Sequence, residues 1–293
     1  MTGPIPPAPP SVQVGEELTV FDATPVLRHP GQFLADTRRD LRVTMDLAPQ
    51  MARRQIVARY RRSVLGYLWL LLVPLSTAAA WLFVRASGAL QMTSSGAPYP
   101  LYILAGLFLW QGFLRMLNAP LQQVNASRAV ISKIRSPWEA VIAAGWIETV
   151  FEFSIFIAVL LVAIPLLGSW PGVGMLGAIV PTVGLLAFGA ACGLLLVPLG
   201  LLFDDVPRAV IVGTTFLFFV TPIVYRPPTS ALGAATFRLN PVAVLLDAAR
   251  AALVGDVPVA PALVLPWVLA ALVAVVVGWV AMRVAVPHLV ARL

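Results

Sequence analysis

The stretch of sequence that decides the fold runs from residue 153 to residue 203 and reads FSIFIAVLLVAIPLLGSWPGVGMLGAIVPTVGLLAFGAACGLLLVPLGLLF. It contains no charged side chain. A transmembrane helix needs about 20 consecutive apolar residues, so this run is long enough for two crossings. The chain is therefore expected to be a membrane protein.

The composition of the whole chain supports this prediction. Of the 293 residues, 59% are hydrophobic and 11% are charged, whereas soluble domains carry about 25% charged residues. The single cysteine, Cys192, cannot form an internal disulfide or a cysteine metal cluster, and His29 and His288 stand at opposite ends of the chain. We therefore expect no metal site and no catalytic residues. The net charge of +7 comes from basic residues beside the apolar segments, which membrane topology explains better than a nucleic-acid partner.

Six apolar segments are long enough to cross a bilayer with some tilt. They cover about residues 64–84, 99–117, 143–167, 174–202, 208–225 and 261–282. With both termini in the cytoplasm, 16 of the 20 basic residues lie on the cytoplasmic side, an orientation that the positive-inside rule favours. We expect an all-α membrane protein with six transmembrane helices and cytoplasmic termini.

The chain divides into three parts. Residues 1–30 are expected to be a disordered tail, because the first dozen residues hold five prolines and lack the pattern of a signal peptide. Residues 31–62 interleave arginines with large apolar side chains, a pattern typical of amphipathic helices at the cytoplasmic interface, and we expect two helices broken near Pro49. Residues 63–293 form the six-span domain.

The outer loop between spans five and six contains a helical segment, residues 243–254, that is too short to cross. Asn240 can cap this helix, Pro241 suits its first turn and Gly255 suits its end. Such a segment is either re-entrant, folding back into the membrane, or an ordinary surface helix. If it is re-entrant, Asp247 and Arg250 should face water or each other.

Motifs for chemistry are sparse. No G-x-x-x-x-G-K-[ST] loop occurs, and Lys133, the only lysine, has no glycine near it, so the chain cannot bind ATP in that manner. Asp204 and Asp205 are the one acidic cluster that resembles a metal-dependent transferase site. Glu148 and Glu152 share one face of a helix. Within the membrane they would couple protons or line a pore. Alternatively, they lie at the membrane interface and pair with arginines of the preceding loop, which includes Arg115.

Aromatic residues near the predicted span ends have two interpretations. Tryptophans there are ordinarily interfacial anchors, but a pore that passes sugars would also use aromatic faces to stack on the rings. The channel candidates are Trp69, Trp81, Trp110 and Tyr225.

Several strings, in their order along the chain, resemble one family. Residues 54–69 read RQIVARYRRSVLGYLW, residues 102–137 contain GLFLWQGF and NASRAVISKIRSP, and residues 203–225 contain FDDVPRAV and TPIVY. With Asn240, Pro241, Arg250 and Gly255, they resemble the ABC-2 permeases that export O-antigen and teichoic acid polymers. The resemblance covers about residues 31–283. Gln55, Asp204 and the pair Arg135–Ser136 depart from the family pattern.

The resemblance implies a homodimer of six-span permeases with two copies of a separate ATPase subunit, in the bacterial plasma membrane. The cargo would be a polyprenyl-diphosphate-linked polysaccharide of O-antigen, teichoic acid or cell-wall galactan type, moved outward. The chain itself would hold no cofactor, since ATP and Mg would be bound by the partner subunit.

Roles follow for three groups of residues. The cargo pyrophosphate and the cytoplasmic gate are assigned to Arg53, Arg54, Arg59, Arg61, Arg62, Ser63, Leu65 and Gly66. The ATPase contact is assigned to Arg128, Lys133, Arg135 and Pro137. The outer gate is assigned to Asn240, Pro241, Asp247 and Arg250. Guanidinium groups bind phosphate oxygens through paired hydrogen bonds, but arginines before a span also serve simply as topological anchors.

Two alternative functions stay open. One is an ABC-2 exporter of a small lipid or drug, although such exporters commonly carry a large outer domain or a fused ATPase. The other is a polyprenol-dependent membrane glycosyltransferase, which should display a fuller acidic site. Sugar transfer by the isolated chain would decide for the transferase.

Overall fold

The computed structural model describes residues 30–61, 63–88, 97–131, 138–170, 172–227 and 230–290, and all regular structure within them is helical. The helices are α1 (Pro30–Tyr60), α2 (Leu68–Ala86), α3 (Tyr99–Ile131), α4 (Trp138–Leu166), α5 (Ile179–Leu202), α6 (Val206–Val220), α7 (Ala231–Leu239), α8 (Pro241–Val254) and α9 (Pro261–Val290), with a 3₁₀ segment, Gly172–Ala178, before α5. The predicted tail, residues 1–29, lies outside the described residues.

Within these ranges, five helical segments are long and apolar enough to cross a membrane. They are Leu68–Ala86, Tyr99–Ala126, Trp138–Leu166, Gly172–Leu202 and Pro261–Ala285. The predicted fifth span, 208–225, is instead the 15-residue helix α6, which ends where Thr221 becomes extended ahead of Pro222. The molecule is thus a multi-pass all-α membrane protein, but a sixth crossing is not confirmed.

Helix α1 corrects one prediction. It is a single helix of 31 residues with Pro49 inside it, not two helices broken there. An internal proline costs about 3 kcal/mol because it removes a backbone hydrogen bond. Packing offsets this cost: Ala48 and Ala52, on either side of Pro49, are 2% and 1% exposed and lie in one cluster with Ala144 of α4.

Close contact between α3 and α5 builds the centre of the bundle. A Cβ at Gly189 would lie 2.8 Å from the carbonyl oxygen of Phe113, and one at Gly193 would lie 2.4 Å from that of Leu117. Gly189 and Gly193 have the G-x-x-x-G spacing that lets membrane helices approach backbone to backbone. The same contacts show that α3 and α5 run in the same direction, and α9 packs on α5 through Gly184 and Gly278.

Candidate functional site

Four charged side chains meet where α1, α3 and α4 pack together. Arg59 Nη2 lies 2.9 Å from Glu148 Oε1, and Arg59 Nη1 lies 3.2 Å from Glu152 Oε1. Arg115 pairs with the other oxygen of Glu152. We call these residues the carboxylate cluster; it contains two cations and two anions, with the glutamates only 4% and 2% exposed.

The cluster partly decides between the two interpretations of Glu148 and Glu152, which are pairing with arginine and a role in a pore or in proton coupling. Pairing with arginine is confirmed, but one partner, Arg59, comes from α1, and the other, Arg115, sits in the middle of α3 rather than in a loop. A role in lining a pore stays a prediction. Sequence reasoning had no signal for the contact with Arg59, which lies 93 residues from Glu152.

The packing of α3 on α5 shows where the carboxylate cluster lies along the length of α5. Arg115 lies between Phe113 and Leu117, whose carbonyl oxygens face Gly189 and Gly193 of α5. Helix α5 continues without a charge for nine more residues to Leu202, which is about 14 Å of helix. The cluster is therefore level with a charge-free part of α5 rather than beyond the end of that helix.

A polar cavity of about 300 Å³ adjoins the cluster. The amides that line it project from α3 and are Gln111, Asn118, Gln122 and Gln123. Gln123 and Gln55 of α1 exchange two amide hydrogen bonds of 2.9 Å. Helix α1 is thus joined to the bundle by polar as well as small apolar contacts.

The junction between α1 and α2 carries the predicted gate. The Ser63 hydroxyl accepts a hydrogen bond of 3.1 Å from the backbone N–H of Gly66, whose φ of 51° favours glycine. Leu65 is 43% exposed. The Tyr67 ring contacts that of Phe151 on α4, with centroids 5.9 Å apart.

The arginines assigned to the gate divide into two sets. All four described arginines of this group are exposed, but Arg59 is paired in the carboxylate cluster, whereas Arg53, Arg54 and Arg61 form no ion pair with any described residue. Arg62 lies outside the described residues. So do Lys133, Arg135 and Pro137 of the predicted ATPase contact, and of Arg128 only the backbone, within α3, is described.

Helix α8 has the local geometry that the sequence predicts. The Asn240 side chain accepts hydrogen bonds from the N–H groups of Val242 and Ala243 at 3.0 and 3.2 Å, Pro241 occupies the first turn, and Gly255 ends the helix with a φ of 74°. Asp247 and Arg250 were expected to face water or each other, and they form an ion pair with each other.

Arg250 also has a role that sequence reasoning missed. It is 1% exposed, and its Nη1 donates to the carbonyl oxygens of Pro222 and Ile223 at 2.9 and 2.8 Å. Its guanidinium stacks on the ring of Tyr102, 3.7 Å from the centroid. The available signal was an arginine in an otherwise apolar helix, which needs acceptors beyond its one carboxylate if it is buried.

Two tyrosines complete this arrangement, which we call the arginine clamp: Tyr99, Tyr102, Arg250 and the turn 221–225. Tyr99 donates to the Val224 carbonyl at 3.2 Å, and Tyr102 donates to that of Tyr225 at 3.0 Å. Four successive carbonyls after α6 are thereby bonded to side chains. The clamp holds the end of α6 against α3 and α8.

The four predicted channel aromatics have different surroundings. Trp69 is 56% exposed on α2, while Trp110 is 3% exposed and packs against Phe113 and Phe218. Trp81 is half-buried, and Tyr225 donates to the Phe219 carbonyl at 2.6 Å. Their place in a channel stays a prediction. Asp205, from the acidic pair, forms an exposed ion pair of 2.8 Å with Arg208.

The fold and these sites define a multi-pass helical membrane protein with two internal polar networks, the carboxylate cluster and the arginine clamp. No protein-family model matches the chain. The chain is similar, however, to three curated proteins named O-antigen export system permease protein RfbA.

Two of these relatives come from Klebsiella pneumoniae. They are 28% and 27% identical over 181 residues, which is 61% of this chain and 69% of each relative. The third, from Myxococcus xanthus, is 25% identical over 218 residues, 73% of this chain and 82% of the relative. The resemblance to ABC-2-type export permeases is thereby confirmed.

Proposed function

We propose that this chain is the transmembrane subunit of an ATP-driven ABC exporter that moves a polyprenyl-diphosphate-linked polysaccharide out of the cytoplasm. The observation that carries the proposal is the set of exposed arginines, Arg53, Arg54 and Arg61, beside the turn Ser63–Gly66 in a chain similar to O-antigen export permeases. A polyprenyl diphosphate brings at least two negative charges to headgroup level, and guanidinium groups bind such oxygens in pairs.

The energy would come from a partner. The sequence contains no phosphate-binding loop, so ATP and Mg would be bound by a separate subunit present in two copies with a homodimer of this chain. The contact would be formed by residues 128–137, from the last residues of α3 to the start of α4. In this arrangement both termini are cytoplasmic and the protein resides in the bacterial plasma membrane.

The other end of the bundle would form the outer gate. Helix α8 has 14 residues, about 21 Å in length, which is shorter than a hydrocarbon core of about 30 Å. Eleven of its residues are buried, as expected for a re-entrant helix held within protein rather than a helix lying on a surface. Asn240, Pro241, Asp247 and Arg250 would then fix the gate.

Depletion of the protein in its host tests this function. We expect a lipid-linked glycan to accumulate on the cytoplasmic side of the membrane and export to return when the wild-type chain is restored. Accumulation of a small lipid with normal glycan export would favour the lipid or drug exporter instead. Sugar transfer by the purified chain would favour the glycosyltransferase.

A further inference from the structure

The junction between α1 and α2 is attached to α4 at both of its ends. On one side, Arg59 bridges Glu148 and Glu152. On the other side, Tyr67 contacts Phe151, the residue next to Glu152. The turn between them, residues 63–66, is therefore held against a single turn of α4, and we call it the gate turn.

Although the Arg59 side chain is 48% exposed, its two ion pairs make it unsuitable for binding the cargo. Among the described residues, Arg59 is the only cation within ion-pair distance of Glu148, which is 4% exposed. If Arg59 turned to a diphosphate, it would leave a buried carboxylate without its counter-ion. The diphosphate would also be repelled by both glutamates.

From this geometry we infer that Arg59 is a positioning residue that anchors the gate turn to α4, and that the exposed Arg54 and Arg61 contact the cargo diphosphate. The role of Arg54 and Arg61 rests on the proposed function. The role of Arg59 as an anchor does not, because it depends only on Arg59, Glu148 and Glu152. The anchor has a mechanical consequence: α4 begins at Trp138, directly after the proposed ATPase contact, so motion of this helix carries the gate turn with it.

The net charge of the carboxylate cluster identifies the variants that separate a positioning role of Arg59 from a role in binding the cargo. Arg59→Gln leaves three charges with a net of −1, and the unpaired Glu148 should destabilise the fold. Adding Glu148→Gln restores neutrality and keeps the pair of Arg115 with Glu152. Two glutamines can hydrogen-bond at this interface, as Gln55 and Gln123 already do.

Three quantities are measured on the full-length chain in detergent. They are the apparent Tm, the binding of farnesyl diphosphate with farnesol as the uncharged control, and the mobility of a spin label on Val64→Cys in a Cys192→Ala background. Val64 is fully exposed at the turn, so a label there should not disturb packing. Arg208→Gln, which breaks the exposed pair with Asp205, is the matched control.

We expect Arg59→Gln to lower Tm, mobilise the label and weaken binding, and the double variant to restore all three. Arg54→Gln and Arg61→Gln should each weaken binding about tenfold or more at unchanged Tm, since each removes a charge-assisted hydrogen bond. If Arg59→Gln does not fold, the double variant is compared directly with the wild type and with Arg208→Gln.

Each contrary result has a definite meaning. If the double variant returns to the wild-type Tm and to the wild-type mobility of the label but still binds weakly, Arg59 is a cargo ligand and the inference is wrong. If Arg59→Gln leaves Tm and the label unchanged, or the double variant does not recover, the anchor is wrong. If the wild type binds farnesyl diphosphate no better than farnesol, the cargo roles of Arg54 and Arg61 fall with the proposed function, while Tm and the label still decide the anchor.

Discussion

Arg250 of α8 donates a hydrogen bond of 2.8 Å to the carbonyl oxygen of Ile223, in the turn that follows α6. The same nitrogen bonds to the carbonyl of Pro222 at 2.9 Å, while Nη2 pairs with Asp247. Three acceptors thus share one guanidinium that is 1% exposed. This arginine therefore holds the turn that follows α6 against α8.

Arg250→Lys should therefore destabilise the protein although it keeps the charge. A lysine ammonium lacks the planar fork and cannot reach the same set of acceptors, which leaves buried polar groups unpaired at a cost of about 2–4 kcal/mol. The measurement is the fraction of protein that elutes as a single peak in size-exclusion chromatography after heating. Arg238→Lys, in the exposed last turn of α7, is the control and should behave as the wild type. Equal unfolding temperatures for the two variants would contradict the role of the clamp.

Gly106→Ala should displace the same turn from the other side. A Cβ at Gly106 would lie 2.4 Å from the backbone oxygen of Ile223, and backbone cannot move aside as a flexible side chain can. Overpacking of this kind typically costs about 1–3 kcal/mol. Gly213→Ala is the matched control, since a Cβ there meets nothing within 4 Å and alanine favours the helix. The prediction fails if both variants unfold at the wild-type temperature.

Cysteine labelling tests the proposed re-entrant position of α8. In a Cys192→Ala background, Ala249→Cys should react slowly with a membrane-impermeant thiol reagent because Ala249 is 0% exposed. Val257→Cys, just beyond the helix and 78% exposed, should react quickly. If every position from 242 to 254 reacts as fast as position 257, the segment is an ordinary surface helix.

Reconstitution tests the division of labour in the proposed exporter. The purified chain alone should hydrolyse no ATP, because it lacks a phosphate-binding loop. Hydrolysis should appear when a separate ATPase subunit is added, and cysteines placed in residues 128–137 should crosslink to that subunit. Robust hydrolysis by the lone chain, or crosslinks only from position 257, would contradict this arrangement.

The sequence by itself determined the membrane class and much of the local structure. A charge-free run such as 153–203 has no stable place in water, so its length predicts crossings without knowledge of any contact. The cap at Asn240 and the end at Gly255 were equally predictable, and mutual pairing was one of the two environments predicted for Asp247 and Arg250. Each depends on residues within a few positions of one another, where helix geometry alone sets the distance.

Only the tertiary structure decided the rest. Pro49 remains inside a continuous helix because Ala48 and Ala52 pack on α4, a contact that no local rule contains. Packing alone brings side chains of α3 and α8 to the carbonyl groups of the turn that follows α6. Arg59 is one more arginine before a span in the sequence, and only packing brings it to two buried glutamates on α4. In each case the deciding contact joins residues far apart in the sequence, and their distance depends on how whole helices pack rather than on the period of any one helix.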